Sequence, residues 1–102
     1  MYSARDRVEQ EEWLARIDAA AEGLDLGGES RTTAEELFLR NVPEADRSKP
    51  AAAAAALYAA SLVAGEERSQ AAVADAMGVA RLSVQQKWKP MLEDAGFRAP
   101  SW

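Results

Sequence analysis

The sequence contains no cysteine and no histidine in 102 residues. These absences exclude disulfide frameworks, thiol nucleophiles, cysteine–histidine zinc sites and acid–base catalysis by imidazole. The longest apolar stretch, residues 51–64, is rich in alanine and shorter than the roughly 20 residues that span a membrane. Residues 1–10 carry charges and no apolar run, unlike a secretory signal. We therefore expect a soluble, cytoplasmic protein with no membrane partner.

Carboxylates are abundant, but no catalytic companion accompanies them. The pairs Glu11–Glu12, Glu35–Glu36 and Glu66–Glu67 fall on expected helix surfaces or in a turn, without a neighbouring base or nucleophile. Phosphate-cradling glycine loops and metal-ligand spacings are also missing from the sequence. We interpret the acidic pairs as solvated surface, and the sequence predicts no enzyme, no cofactor and no metal.

The net charge of −5 is unevenly distributed along the chain. Residues 1–50 contain 12 acidic and 7 basic side chains, whereas residues 51–102 contain 5 of each. No acid occurs between Ala76 and Leu92, where Arg81, Lys87 and Lys89 are found. Phosphate contacts dominate affinity for nucleic acid, so this window is the favourable place for DNA in an acidic chain. The acidic surface, the excess of arginine over lysine and the abundant alanine are typical of halophilic proteins.

Hydrophobic periodicity predicts five helices and no strand, an all-α fold in one domain. We expect the first helix from about Asp6 to Leu24, and a second that starts at Thr33 in a capping box with Glu36 and ends at Pro43. The inward stripe of the first helix comprises Val8, Trp13, Leu14, Ile17, Ala20, Ala21 and Leu24. The inward residues of the second are Leu37, Phe38 and Val42.

The third predicted helix runs from Pro50 to Ala64 and is apolar nearly all round. Its bulky residues are Leu57, Tyr58, Leu62 and Val63, set among alanines. Such a helix is expected at the centre of a bundle, where small side chains let its neighbours approach closely. The alternative is that the alanines reflect helix propensity alone.

Residues 70–89, QAAVADAMGVARLSVQQKWK, have the pattern of a helix-turn-helix. Ala74 allows the two helices to cross closely, Gly78 permits the left-handed conformation of the turn, and Val79 fills it. Ser69 is expected to cap the first of the two helices. The inward faces comprise Val73 and Met77 on one helix and Val84, Trp88 and Met91 on the other. The alternative is a pair of packed helices with a solvated polar face.

The outward residues of this segment are chemically suited to a DNA major groove. Glutamine bonds adenine, lysine and arginine bond guanine or phosphate, and leucine contacts the thymine methyl. We expect four of these residues to read bases: Arg81, Gln85, Gln86 and Lys89. Lys87 is expected to bind a phosphate, and Ser69 and Gln70 to contact the DNA backbone. The predicted DNA-binding residues are Ser69, Gln70, Arg81, Leu82, Gln85, Gln86, Lys87 and Lys89.

The alanine-rich helix followed by ALYAASLVAGEERSQAAVADAMGVARLSVQQKWKPML resembles one cyclin-like repeat of archaeal transcription initiation factor B, the relative of eukaryotic TFIIB. The resemblance covers roughly residues 7–95 and is strongest over residues 50–88. It implies a five-helix cyclin-like bundle whose last two helices form the helix-turn-helix. We expect one domain over residues 1–102, with its core at about residues 6–95 and a tail at residues 96–102. The residues that carry the resemblance are Pro50, Ala55–Ser61, Gly65–Glu66, Gln70, Val73–Ala74, Gly78–Val79, Ser83–Val84 and Lys89.

Members of that family join two such repeats to a zinc ribbon and bind the TATA-binding protein with its DNA. By resemblance, Leu82 and Gln85 occupy the positions of the family's base-reading valine and arginine. Gln85 would exchange a guanine-reading side chain for an adenine-reading one. Ala80 replaces a capping threonine, and Pro90 is expected to kink or restart the last helix just after Lys89.

Two hypotheses of function follow. The first is a small DNA-binding transcription regulator built from a single repeat, which binds double-stranded DNA and forms a homodimer that imitates the two-repeat parent. The second is a protein-interaction adaptor that keeps the cyclin-like fold and binds a component such as the TATA-binding protein without reading DNA. For the tail, Phe97 and Trp102 are compatible either with docking to a partner or with folding back onto the domain.

Overall fold

A computed structural model describes residues 8–97, and within this range the backbone forms five complete α-helices and no strand. The predicted all-α fold is confirmed. None of the helices in the described range has the length and apolar character needed to cross a membrane. The expected helix start near Asp6 and the tail residues after Phe97 lie outside the described residues. The helices are α1 (Glu11–Gly23), α2 (Gly28–Arg40), α3 (Lys49–Val63), α4 (Gln70–Met77) and α5 (Arg81–Asp94), with a 3-10 helix at Asp46–Ser48.

Helix α3 is the hub of the bundle and contacts each of the other four helices. Every residue from Ala52 to Ser61 is buried, and five consecutive alanines allow the neighbouring backbones to approach closely. Pro50 lies in the first turn, where its missing N–H costs no helical hydrogen bond. Gly65 follows the helix with φ of +73° and turns the chain away. The prediction of a central third helix is confirmed.

Helix α1 buries one face against the hub, including Leu14, Ile17 and Ala21. The predicted stripe is wrong at Val8, whose residue surface is 68% exposed. Val8 is itself helical, and a turn at Gln10 separates it from α1. Trp13 packs against the core while still half-buried, and the Arg16 guanidinium lies over its ring, 4.4 Å from the centroid.

Helix α2 begins at Gly28 rather than at Thr33, so the predicted capping box is wrong. Its first turn is capped instead by a side chain distant in sequence. The Glu66 carboxylate accepts hydrogen bonds from the Gly27 backbone N–H at 3.0 Å and from the Ser30 hydroxyl at 2.7 Å. A carboxylate is favourable at this end of a helix, where unpaired N–H groups are concentrated. The interpretation of Glu66 as merely solvated surface is therefore also wrong.

Arg68, two residues after Glu66, binds the other end of the α1–α2 connection. Its guanidinium donates to the carbonyl oxygens of Leu24 at 2.8 Å and Asp25 at 3.1 Å, at the C-terminal end of α1. It also donates to the carbonyls of Glu66 and Glu67 in its own segment. We call residues 66–68 the clamp. Because Ser69 and α4 follow directly, the clamp fixes where the last two helices begin.

Helix α5 runs without interruption from Arg81 to Asp94 and includes Pro90, so of the two expected effects of this proline, a kink or a restart, the restart is wrong. Proline removes one hydrogen bond from the helix interior. Here, buried residues on both sides of it anchor the helix to the hub. Before the proline, the Trp88 ring meets Tyr58 of α3 edge to face, with centroids 5.3 Å apart. After it, Met91 and Leu92 are buried in the same core.

Candidate nucleic-acid interface

The three-residue connection between α4 and α5 has the conformation that the sequence predicts. Gly78 adopts φ of +70° in the left-handed region, and its N–H donates to the last carbonyls of α4. The Val79 N–H donates to the Ala74 carbonyl at 2.9 Å, which completes the C-terminal cap. At the other end of α4, the Ser69 hydroxyl accepts from the Ala72 N–H at 3.0 Å. The predicted glycine turn and serine cap are both confirmed.

Buried side chains hold this helix pair against the hub. Val73 and Ala74 of α4 and Val84 and Trp88 of α5 are all buried, and Val79 packs against the same core from the turn. The predicted inward faces are confirmed. Because α5 packs on both α3 and α4, its outward side chains project from a fixed framework.

The opposite side of the pair presents polar and basic side chains to solvent. Arg81, Gln85, Gln86 and Lys89 are exposed, and Leu82 keeps 56% of its surface accessible. Gln70 is half-buried at the start of α4. We call this set the outer face; it comprises Gln70, Arg81, Leu82, Gln85, Gln86 and Lys89.

Lys87 and Ser69 border the outer face rather than belong to it. Lys87 is exposed on the flank of α5, beside a shallow groove that it shares with Asn41 and Pro43 at the end of α2. Ser69 is exposed, and its oxygen is already used as the cap of α4. Its hydroxyl hydrogen can still be donated to an acceptor from outside.

Three side chains of the outer face form a hydrogen-bonded group across the turn. The Arg81 Nη1 donates to the Gln85 Oε1 at 3.0 Å, one turn along α5, and to the Gln70 Oε1 at 3.3 Å on α4. Arg81 therefore bridges the two helices through uncharged partners and keeps its full positive charge. Helical spacing predicts that Arg81 and Gln85 share one surface, but it does not predict the contact of Arg81 with Gln70, 11 positions earlier in the chain.

The electrostatics of the outer face favour an anion. The first three turns of α5 contain Arg81, Lys87 and Lys89 and no acid. At the C-terminal end of α5, Asp94 forms a salt bridge with α2, in which its carboxylate lies 3.9 Å from the Arg40 Nε. The positive charges of α5 thus lie in its first three turns, whereas its two acids, Glu93 and Asp94, lie at its C-terminal end.

Other binding chemistries have little support in the described residues. No group of three or more acidic side chains there is arranged to hold a metal ion. Tyr58 and Trp88 are buried and in contact with each other, so they serve the core rather than a surface for stacking bases.

Comparison with known proteins gives consistent results. The family model described as the transcription factor TFIIB repeat matches residues 8–94. Transcription initiation factor IIB of Methanosarcina mazei is 37% identical over 76 residues, which cover 71% of this chain and 22% of that protein. The factor of the same name from Archaeoglobus fulgidus is 34% identical over 90 residues, covering 84% of this chain and 26% of that protein. The chain spans about a quarter of the length of these curated relatives.

Proposed function

Since the chain belongs to the transcription factor TFIIB repeat family, a family of cyclin-like all-α repeats, we propose that it is a transcription regulator that binds duplex DNA through the outer face. The observation that carries this proposal is the exposed set of basic and amide side chains on α5. These groups project from a helix whose other side is anchored in the core. A fixed helix bearing such side chains meets the requirements of major-groove recognition.

Within this proposal the outer face reads bases and its borders hold the DNA backbone. Gln86 and Lys89 provide donors to base edges, and Leu82 offers an apolar contact for a thymine methyl. Lys87 and Ser69 lie on opposite borders and would contact phosphate oxygens. The acid-free first turns of α5 let DNA approach despite the net charge of −5.

Selection of bound sites from random duplex DNA tests this function. We expect one short sequence to be enriched by the wild-type chain. The double variant Gln85→Ala, Lys89→Ala should bind the enriched site at least about tenfold more weakly, because two base contacts are lost. Arg47→Ala is the matched control, since Arg47 is an exposed arginine on the 3-10 helix, outside the outer face. No enrichment, together with unchanged binding by the double variant, would reject the proposal.

A single repeat offers limited contact area, and we propose that it binds DNA as a homodimer. Two copies related by a twofold axis would contact two half-sites related by the same symmetry. Sedimentation of the DNA complex should give two chains per duplex, and the enriched site should be a palindrome. One chain per duplex and a site without symmetry would contradict the dimer.

The second candidate function is an adaptor that contacts transcription machinery, such as the TATA-binding protein, without reading DNA. It is favoured by the acidic first half of the chain and by an open groove between α1 and α4, lined by small and apolar side chains such as Ala19, Ala72, Ala76 and Met77. Pull-down from lysate with and without nuclease distinguishes the two functions. A partner that is retained unchanged after nuclease supports the adaptor, whereas loss of the partner supports DNA binding.

A further inference from the structure

The group formed by Gln70, Arg81 and Gln85 limits which hydrogen bonds the outer face can offer. A guanidinium has only donors, so any side chain bonded to it must present an acceptor. Both glutamines therefore direct their Oε1 atoms to Arg81, as the distances of 3.3 Å and 3.0 Å record. This assignment of amide oxygen and nitrogen is imposed by the chemistry of arginine.

With both oxygens directed to Arg81, each keeps one lone pair beside the guanidinium, and the unused hydrogens of the group are available to a ligand that accepts hydrogen bonds. Each glutamine keeps its Nε2 amide, and Arg81 uses only Nη1 for the two bonds, which leaves its Nε and Nη2 hydrogens. Adenine requires one acceptor and one donor from a glutamine that reads its major-groove edge, whereas guanine presents two acceptors, N7 and O6. The free Nε and Nη2 edge of Arg81 presents two donors, which match guanine and do not match adenine.

We propose that Gln70, Arg81 and Gln85 act as one guanine-reading unit, in which Arg81 contacts the base and Gln70 is a positioning residue. This inference rests on the proposed DNA-binding function and specifies the base that it recognises. It revises the expectation that Gln85 reads adenine by assigning the base contact to Arg81, toward which the Gln85 oxygen is directed. Gln70 reaches the unit from the other helix, so the turn at Gly78 sets the orientation of the guanidinium.

The same donors would also suit a phosphate group of the DNA. Contacts to guanine and to phosphate can be distinguished, because only the guanine contact depends on the DNA sequence. A guanine contact favours one base at one position, whereas a phosphate contact strengthens binding to all sequences alike. A guanine contact also depends on N7, which 7-deazaguanine lacks.

The test uses the full chain and duplexes that carry the enriched site, in which each guanine is replaced in turn by adenine or by 7-deazaguanine. At one position we expect the wild type to lose affinity by roughly 5- to 150-fold, the range of a bidentate base contact. Arg81→Ala should remove this discrimination, which would leave the guanine and adenine duplexes bound equally. Circular dichroism confirms that each variant is folded.

The positioning role of Gln70 has a separate readout. Gln70→Leu removes the acceptor and should reduce the ratio of guanine to adenine affinity while Arg81 is still present. Gln70→Glu keeps an acceptor for Arg81, so it should restore the ratio even though its added negative charge weakens binding to both duplexes. Arg47→Ala should leave the ratio unchanged.

The outcomes separate the inference from the function on which it rests. Failure to bind any duplex overturns both. Two outcomes overturn the guanine-reading unit alone. One is sequence-selective binding in which the position sensitive to Arg81 requires adenine; the other is an Arg81→Ala variant that loses affinity equally for all sequences. Equal ratios for Gln70→Leu and wild type overturn the positioning role.

Discussion

The clamp and the outer face each centre on an arginine, and they use it in opposite ways. Arg68 donates four hydrogen bonds to backbone carbonyls and joins the end of α1 to the start of α4. Arg81 donates to two side-chain amides on the surface and touches no backbone oxygen among the described residues. Charge at the clamp maintains the fold, whereas charge on the outer face remains available to a ligand. The following changes test this division, in order of decreasing effect on stability.

Trp88→Ala should have the largest effect, because Trp88 lies on the buried side of the same helix that carries the outer face. Truncation removes the ring that meets Tyr58 edge to face and leaves a cavity beside the hub. We expect the free energy of unfolding to fall by about 3–5 kcal/mol, measured by urea denaturation. Gln86→Ala is the control on the opposite side of α5, and a loss as large as that of Trp88→Ala would contradict the two-sided character of the helix.

Arg68→Ala should be next, because it leaves carbonyls at the end of α1 without their donors. Bonds to a charged donor are individually substantial, but the guanidinium is only half-buried. A loss of about 2 kcal/mol in the free energy of unfolding is expected. Arg81→Ala is the matched substitution on the outer face and should change stability by less than about 0.5 kcal/mol. Equal losses would show that the two arginines do not differ in function.

Glu66 tests the acidic half of the clamp through the dependence of stability on pH. The Ser30 hydroxyl and the Gly27 N–H, both donating to the carboxylate, lower the pKa of Glu66 from its ordinary value of 4.5. The folded state therefore binds fewer protons than the unfolded state in this range, so stability rises with pH. The contribution of Glu66 is fully present above pH 4.5 and is lost as pH falls through the lowered pKa.

Comparison of Glu66→Ala with wild type by urea denaturation across this pH range checks that expectation. The difference in stability should be smaller than for Arg68→Ala, constant at neutral pH and reduced in acid. Glu67→Ala, at the exposed neighbouring position, is the matched control. A difference that grows toward low pH would contradict the direction of the pKa shift.

Lys87→Ala should leave stability within about 0.5 kcal/mol of wild type and act on DNA binding alone. If Lys87 holds one phosphate, its loss should weaken binding to all sequences and reduce the slope of log K against log salt by about 0.9. A change in base preference without a change in slope would instead identify Lys87 as a base contact.

Local sequence predicted those features of the fold whose causes are local. Gly78 turns the chain because its own φ is positive, Ser69 caps the helix that follows it, and the alanines of α3 mark its burial on all sides. The start of α2 was mispredicted for the converse reason. Its cap is supplied by Glu66, which lies 39 positions from Gly27, and no pattern around Thr33 records that contact.

The same distinction explains what could be predicted of the candidate interface. Helical spacing places Arg81 and Gln85 on one surface, but the contact with Gln70 depends on how α4 and α5 cross. Pro90 was expected to kink or restart the helix because it lacks a backbone donor, but the helix continues past it, with buried residues on either side. The contacts of Arg68 could not be predicted from the sequence, because its partners are backbone carbonyl oxygens, which every residue possesses.

The alanine hub, helix α3, also determines which positions of this protein tolerate substitution. Positions Ala53–Ala56 are completely enclosed, so a larger residue at any of them must push a neighbouring helix aside. We therefore expect most enlarging substitutions at these positions to destabilise the fold. Leu82 and Gln85 are exposed, so changes there cost the fold little. The binding preference of such a repeat can therefore be altered one surface residue at a time without any change to its central helix.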